Sequence, residues 1–220
     1  MRRHAERELY VYALSSPGLP RHVSVLGRRL HCITVGEVEA IVEYSGSPGR
    51  SLADIQLQHR IVSRLAARTA ALLPARYGST LAGAALHALV AERQQEITAA
   101  LRRVRNCEQM TVRVFGSVAP DDAAFDEPGS GTAYLMKRQQ QAHRVPEEVA
   151  VIRHELGALV REERVSQGDR GIRAVIYHLV SRRIVAQYRR RASVLPRLLA
   201  PHTVTVTGPW PVFAFVPELF

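Results

Sequence analysis

Cysteine is nearly absent from this chain of 220 residues: Cys32 and Cys107 are the only two. Two thiols allow at most one bridge, which excludes a disulfide-stapled scaffold, and neither sits among residues at metal-binding spacing. Lysine is scarcer still, with Lys137 alone beside 29 arginines. Aromatic residues make up 6%, and tryptophan occurs once, at Trp210. No run of 18 or more apolar residues exists, so no segment reads as a membrane-spanning helix. The stretch Leu9 to Leu14 is too short for a signal-peptide core, and Glu6 and Glu8 flank it. The expected location is the cytoplasm.

What is present points to a folded, basic protein. Hydrophobic residues reach 46% against 23% charged, which excludes a mainly disordered chain. The length fits one large domain or two small ones. Thirty basic and 20 acidic residues give a net charge of +10, so nucleic acid is a partner to weigh. The excess is spread evenly, however: residues 1–110 carry 15 basic and 9 acidic groups, and residues 111–220 carry 15 and 11. The densest basic run is Arg182, Arg183, Arg189, Arg190, Arg191 and Arg197, which reads first as a solvated helix face.

The order of elements is α+β. Glu8 to Leu14 reads as a strand, and Leu30–Val35 and Val38–Tyr44 as two more joined across Gly36-Glu37. Ser51 with Asp54 signals a helix start, followed by an apolar stripe of Leu52, Ile55, Val62, Ala66 and Thr69 that also holds His59. A second amphipathic helix runs through Leu86, Leu89, Val90, Ile97, Leu101 and Val104. A new cycle opens with the alternating strand Met110–Phe115. It continues through an acidic loop from Pro120 to Gly131, helices from Tyr134 and Pro146, a strand over Ile172–Val180, a helix capped by Ser181 and a strand at Thr203–Thr207. The expected fold is two successive small domains, each a ferredoxin-like split β-α-β sandwich, over residues 1–105 and 106–207. Residues 208–220 are expected as an extended apolar C-terminal tail packing on the second domain's helices.

Chemistry is hard to find. Arg153-His154-Glu155 begins like a helical zinc motif, but the second histidine would fall at 158, which is Ala158. Gly129-Ser130-Gly131 has two glycines at dinucleotide-loop spacing, with Tyr134 in place of the third and acids ahead of it. His59 has no partner placed by spacing and reads as a core histidine. No nucleophile–base pair, metal, cofactor or small-molecule substrate is expected, and an enzyme is the weaker reading. The unusual segment is the tail: Trp210 lies between two prolines, followed by Phe213 and Phe215 in β alternation. Those three aromatics are candidate partner-binding residues, with Arg182, Arg183 and Arg190 as candidate basic contacts.

Several short matches, in order, give a resemblance. They are Leu9-Tyr10-Val11-Tyr12-Ala13, Val38-Glu39-Ala40-Ile41-Val42, His59 with Leu65, Leu73-Pro74-Ala75-Arg76-Tyr77-Gly78-Ser79 and Thr132-Ala133-Tyr134-Leu135. The last and most specific is Thr207-Gly208-Pro209-Trp210-Pro211. Together they resemble the gas-vesicle protein F/L family of accessory proteins. The resemblance implies a two-domain, non-catalytic protein that helps to build gas vesicles. It implies binding to the small hydrophobic shell protein and other accessory proteins, and a place at the vesicle that includes its gas-facing inner surface. The alternative is a cytoplasmic nucleic-acid binder using the Arg182 to Arg197 face, which would give a steep salt dependence.

Overall fold

A computed structural model of the chain describes residues 8–44, 49, 51–116, 147–168 and 171–219. The chain divides into two compact units. One is Met110–Pro209, and the other joins Met1–Gln109 to Trp210–Phe220.

The first unit is built on a six-stranded sheet of β1 (Glu8–Ser15), β2 (His22–Val25), β3 (Arg28–Val35), β4 (Val38–Glu43), β5 (Leu72–Pro74) and β6 (Thr80–Ala82). The order is β2-β3-β4-β1-β5, with β6 also paired to β1. Central β1 reads ELYVYALS and is buried over all but its first residue. Tyr10 and Tyr12 pack with Ile61, Val62 and Leu65 of helix α1 (Leu52–Ala66). Leu9 and Val11 alternate with them and are buried as well, so the strand is covered on both faces. Helices α2 (Gly83–Glu92) and α3 (Gln94–Val104) bury Leu86, Val90, Ile97 and Leu101. The β3–β4 hairpin closes Val35 onto Val38. Gly36 in its turn has φ +58°, a left-handed conformation that favours glycine.

Helix α1 starts where its sequence signals. The Ser51 hydroxyl accepts from the Asp54 backbone N–H at 3.2 Å, and the Asp54 carboxylate accepts from the Ser51 N–H at 3.2 Å. The expected single helix through Leu86 and Val104 is interrupted at Arg93, which leaves helical angles (φ −102°, ψ 19°). There its guanidinium holds Glu96 and the Glu218 carbonyl.

The second unit carries a four-stranded sheet of β7 (Cys107–Phe115), β8 (Glu162–Gln167), β9 (Ile172–Ser181) and β10 (Thr203–Trp210), in the order β10-β7-β9-β8. Helices α4 (Glu147–Leu156), α5 (Val185–Ala192) and α6 (Leu195–Leu198) supply the other layer. Val112, Val114, Ile176 and Val180 from the strands meet Val149, Ile152, Tyr188 and Leu195 from the helices. The architecture is thus α+β with two sheets. Ser181 makes no side-chain cap bond, and a 3-10 turn (Arg182–Ile184) precedes α5. The expected loop at Pro120–Gly131 and helix from Tyr134 lie outside the described residues.

The tail departs from expectation in two ways. It packs on the first unit, not on the helices of the second, and it is not a β-alternating segment. After Pro211 the chain turns through a 3-10 segment, Phe213–Phe215. Phe213 is therefore half-exposed while Phe215 is fully buried, although alternation had put both on one side. Pro211 ends the strand by removing a donor, and the pleat ends with it.

Candidate docking surface

The tail is held to the first unit by backbone as well as side chain. Phe215 is 0% exposed, with Val212 and Leu219 buried beside it in sequence. The Phe215 carbonyl accepts from the Arg103 guanidinium at 2.8 Å, and the Ala214 N–H donates to the Gln109 side-chain oxygen at 2.8 Å. Arg76 and Arg93 bind the Glu218 carboxylate and carbonyl. The anchor of the tail is therefore Phe215. Trp210, a candidate partner-binding residue from the sequence, is 38% exposed.

Trp210 and Phe213 instead lean on α1. Their rings meet His59, Trp210 edge-on at 5.3 Å and 64°, Phe213 nearly parallel at 5.7 Å and 20°. His59 is half-buried between aromatic neighbours rather than a core residue. Along the same helix, Ile55 lies four residues back and Leu52 seven, and both point outward, 45% and 70% exposed. The apolar stripe read from the sequence is thus two stripes. Gln58, Ile61, Val62 and Leu65 face the core, and Leu52, Ile55 and His59 face out with Trp210 and Phe213. Sequence reasoning missed the outward set, though a signal was there: the apolar positions of α1 span an arc of about 200°, wider than one face needs.

The arginine candidates lie in the other unit. Arg182 and Arg183 sit in the 3-10 turn, and Arg190 is exposed on α5. Of their neighbours, Arg189 donates to the Gly208 carbonyl and Arg191 pairs with Glu155 at 2.9 Å. The expected solvated face is therefore partly tied down, and it does not join the aromatic residues in one unit.

Two polar clusters lie deeper. In the first unit, Arg28 reaches both carboxylate oxygens of Glu43 at 3.1 Å, Tyr12 donates to Glu43 at 2.8 Å and Tyr10 donates to Gln58. Burial, then the Glu43 carboxylate, pushes the Tyr12 hydroxyl well up from its usual value; burial also raises Tyr10. The cavity among them is about 20 Å³, room for about one water. In the second unit Arg153 binds Glu163 at 2.8 Å, and Glu163 faces Nε2 of His178 at 3.1 Å. Nδ1 of His178 meets the Tyr188 hydroxyl at 2.7 Å. A carboxylate only accepts, so the neutral ring carries its proton on Nε2 and Nδ1 accepts from Tyr188. Burial pushes the His178 pKa down, against the pull of Glu163. Each cluster spends its groups on one another, with no free nucleophile aimed at a cleft.

Among the described residues, no three His, Cys, Asp or Glu converge as a metal site would. His154 is exposed on α4, and Glu155 is engaged with Arg191. The Gly129–Gly131 loop lies outside the described residues. No described helix is long and apolar enough to cross a membrane.

Two α+β units with a half-exposed aromatic face define a protein organised around a surface. The chain belongs to the gas vesicle family described as "Gas vesicle synthesis protein GvpL/GvpF", whose family model matches residues 8–217. Its fold is similar to the crystal structure of the gas vesicle protein GvpF from Anabaena sp. PCC7120. That likeness has a TM-score of 0.73 at 13% identity, over 96% of this chain and 99% of the other. GvpF from Microcystis aeruginosa is similar too, with a TM-score of 0.74 at 11% identity over 94% and 98%. Among curated protein sequences, none matches the chain.

Proposed function

We propose that this protein takes part in gas vesicle assembly by binding the hydrophobic shell protein and other gas vesicle proteins. It acts by contact rather than catalysis, in the cytoplasm and at the vesicle, including the gas-facing side of the shell. The observation that carries the reading is the outward apolar face of α1 joined to Trp210 and Phe213, in a chain of the gas vesicle family. An exposed apolar face rimmed by polar residues marks an interaction site, and a shell subunit with apolar surface needs cover before assembly. Phe215 serves as the internal anchor that holds the face in place. Arg182, Arg183 and Arg190 are a separate basic contact for acidic groups on the same partners.

The test is capture of shell protein by the full-length protein and by a Leu52→Asp, Ile55→Asp, Phe213→Ser variant. These positions are exposed, so the fold should persist by circular dichroism while capture falls at least about tenfold. Equal capture by both proteins overturns the docking face. Truncation after Thr207 is a poorer test, because it removes Phe215 from the core.

A further inference from the structure

The two edges of the sheet in the second unit are guarded differently. Strand β8 carries Glu162, Glu163 and Arg164 at its start, charges that discourage pairing with a further strand. Strand β10, at the opposite edge, has no charged residue from Thr203 to Trp210, and among the described residues only β7 pairs with it. It opens with Thr203-Val204-Thr205-Val206-Thr207, all β-branched and well suited to a strand. Val204 and Val206 pack toward the helices, so the threonines lie on the other face, with Thr203 and Thr205 exposed. This run reads the same in both directions.

We infer that this edge is an interface between two copies of the chain, paired antiparallel about a two-fold axis at Thr205. An antiparallel partner runs the opposite way, so a palindromic strand meets its own sequence position for position. Thr205 then faces its own copy, Val204 faces Val206, and Thr203 faces Thr207. Cross-strand pairs of like β-branched residues stabilise a sheet, threonine pairs by hydrogen bonds and valine pairs by contact. An unrelated strand would have to match this alternation by chance, whereas a second copy matches it by symmetry. The run holds no charge, so the net charge of +10 brings no like-charged pair into the ladder. Pro201 and Pro209, equally distant from Thr205, have no N–H to donate and bound the pairing at both ends. At one end the Gly208 carbonyl is already taken by Arg189. The axis stands perpendicular to the joined sheet, so both helix layers lie on one side of it. About four to six backbone hydrogen bonds link the copies, a small and reversible contact with a dissociation constant on the order of tens of micromolar.

The test is sedimentation equilibrium of the full-length protein from about 1 to about 300 µM, in about 0.15 M salt to screen the net charge. The mass is expected to rise from that of one chain toward that of two. Thr205→Lys and Thr205→Glu each set a charge opposite its own copy, so either alone should weaken association at least about tenfold. Mixed in equal amounts, the two variants should associate at least as tightly as the unchanged protein, because lysine then faces glutamate. Thr205 is exposed, so circular dichroism of both variants is expected to match that of the unchanged protein. Val165→Lys, at an exposed position on β8, should leave association as it was. The Leu52→Asp, Ile55→Asp, Phe213→Ser variant should also associate normally, which separates this interface from the docking face on α1. A protein that stays monomeric throughout, single Thr205 variants that associate normally, or a mixture that fails to associate overturns the inference. Loss of association in the Val165 or the α1 variant overturns it too, by placing the contact elsewhere.

Discussion

The two units place their polar groups differently. In the first, Tyr12, Arg28 and Glu43 lie around a small cavity, while apolar groups spill onto the outer face of α1. In the second, β9 alternates Ala174, Ile176, His178 and Val180 toward the helices, so a histidine occupies a position patterned for an aliphatic side chain. It is kept there by Tyr188 on α5 and Glu163 on β8, with Arg153 on α4 behind Glu163. Four elements of the second unit thus meet through one polar chain. The contrast shows two ways to define a unique core. One seals an apolar sheet and closes it with a returning tail; the other makes its packing depend on hydrogen bonds that cannot be redirected.

Substitutions sharpen that contrast. The largest loss is expected in the first unit for Phe215→Ala, about 3–5 kcal/mol by denaturant unfolding, because a fully buried ring leaves a cavity. Phe213→Ala, two residues away and half-exposed, should lose about 1 kcal/mol, and similar losses for the two would break the assignment of Phe215 as anchor. Next comes Tyr188→Phe in the second unit, at about 1–3 kcal/mol, since it strands the buried Nδ1 of His178. A neutral result would mean that the polar chain is dispensable.

A smaller effect separates the units by pH. The folded state holds the His178 pKa below its unfolded value of about 6.5, so the unfolded chain binds the extra proton first. The stability tied to neutral His178 is complete above about pH 6.5 and is lost as pH falls from there toward the folded value. Tyr10 and Tyr12 in the polar cluster of the first unit are shifted upward, away from neutrality, and add no such slope. Melting curves between pH 7.5 and 5.5 should flatten in His178→Gln; an unchanged slope would remove His178 as the cause. The smallest effect is expected for Arg76→Ala, whose surface pair with Glu218 at 3.3 Å should contribute at most a few tenths of a kcal/mol.

Much of this was legible in sequence where local pattern and tertiary demand agree. The β3–β4 hairpin follows from β-formers on either side of Gly36-Glu37, and α1 from Ser51 and Asp54. Strand β8 was missed because it reads Glu-Glu-Arg-Val-Ser-Gln, charged rather than apolar. It lies at the edge of its sheet, where charge is tolerated and discourages further pairing. Strand β2, four residues long, has too little pattern to stand out. Trp210 and Phe213 were legible as exceptional residues, but not their place. Pairing with His59 depends on contacts between positions some 150 residues apart, and no local periodicity encodes them. The inward turn of Gln58 rests likewise on the Tyr10 hydroxyl in another element.

Because the tail returns to the first unit, the order of synthesis matters. Residues up to Gln109 leave the ribosome without Phe215 and without the rings that lie on His59, and the intervening Met110–Pro209 must be made before those arrive. At about 5–20 residues per second, that is a wait of roughly 5–20 s. The nascent chain therefore has α1 long before it has the completed aromatic face. A polypeptide stalled or cut within the second unit never acquires that face, so only chains translated past Phe215 can present it to a partner.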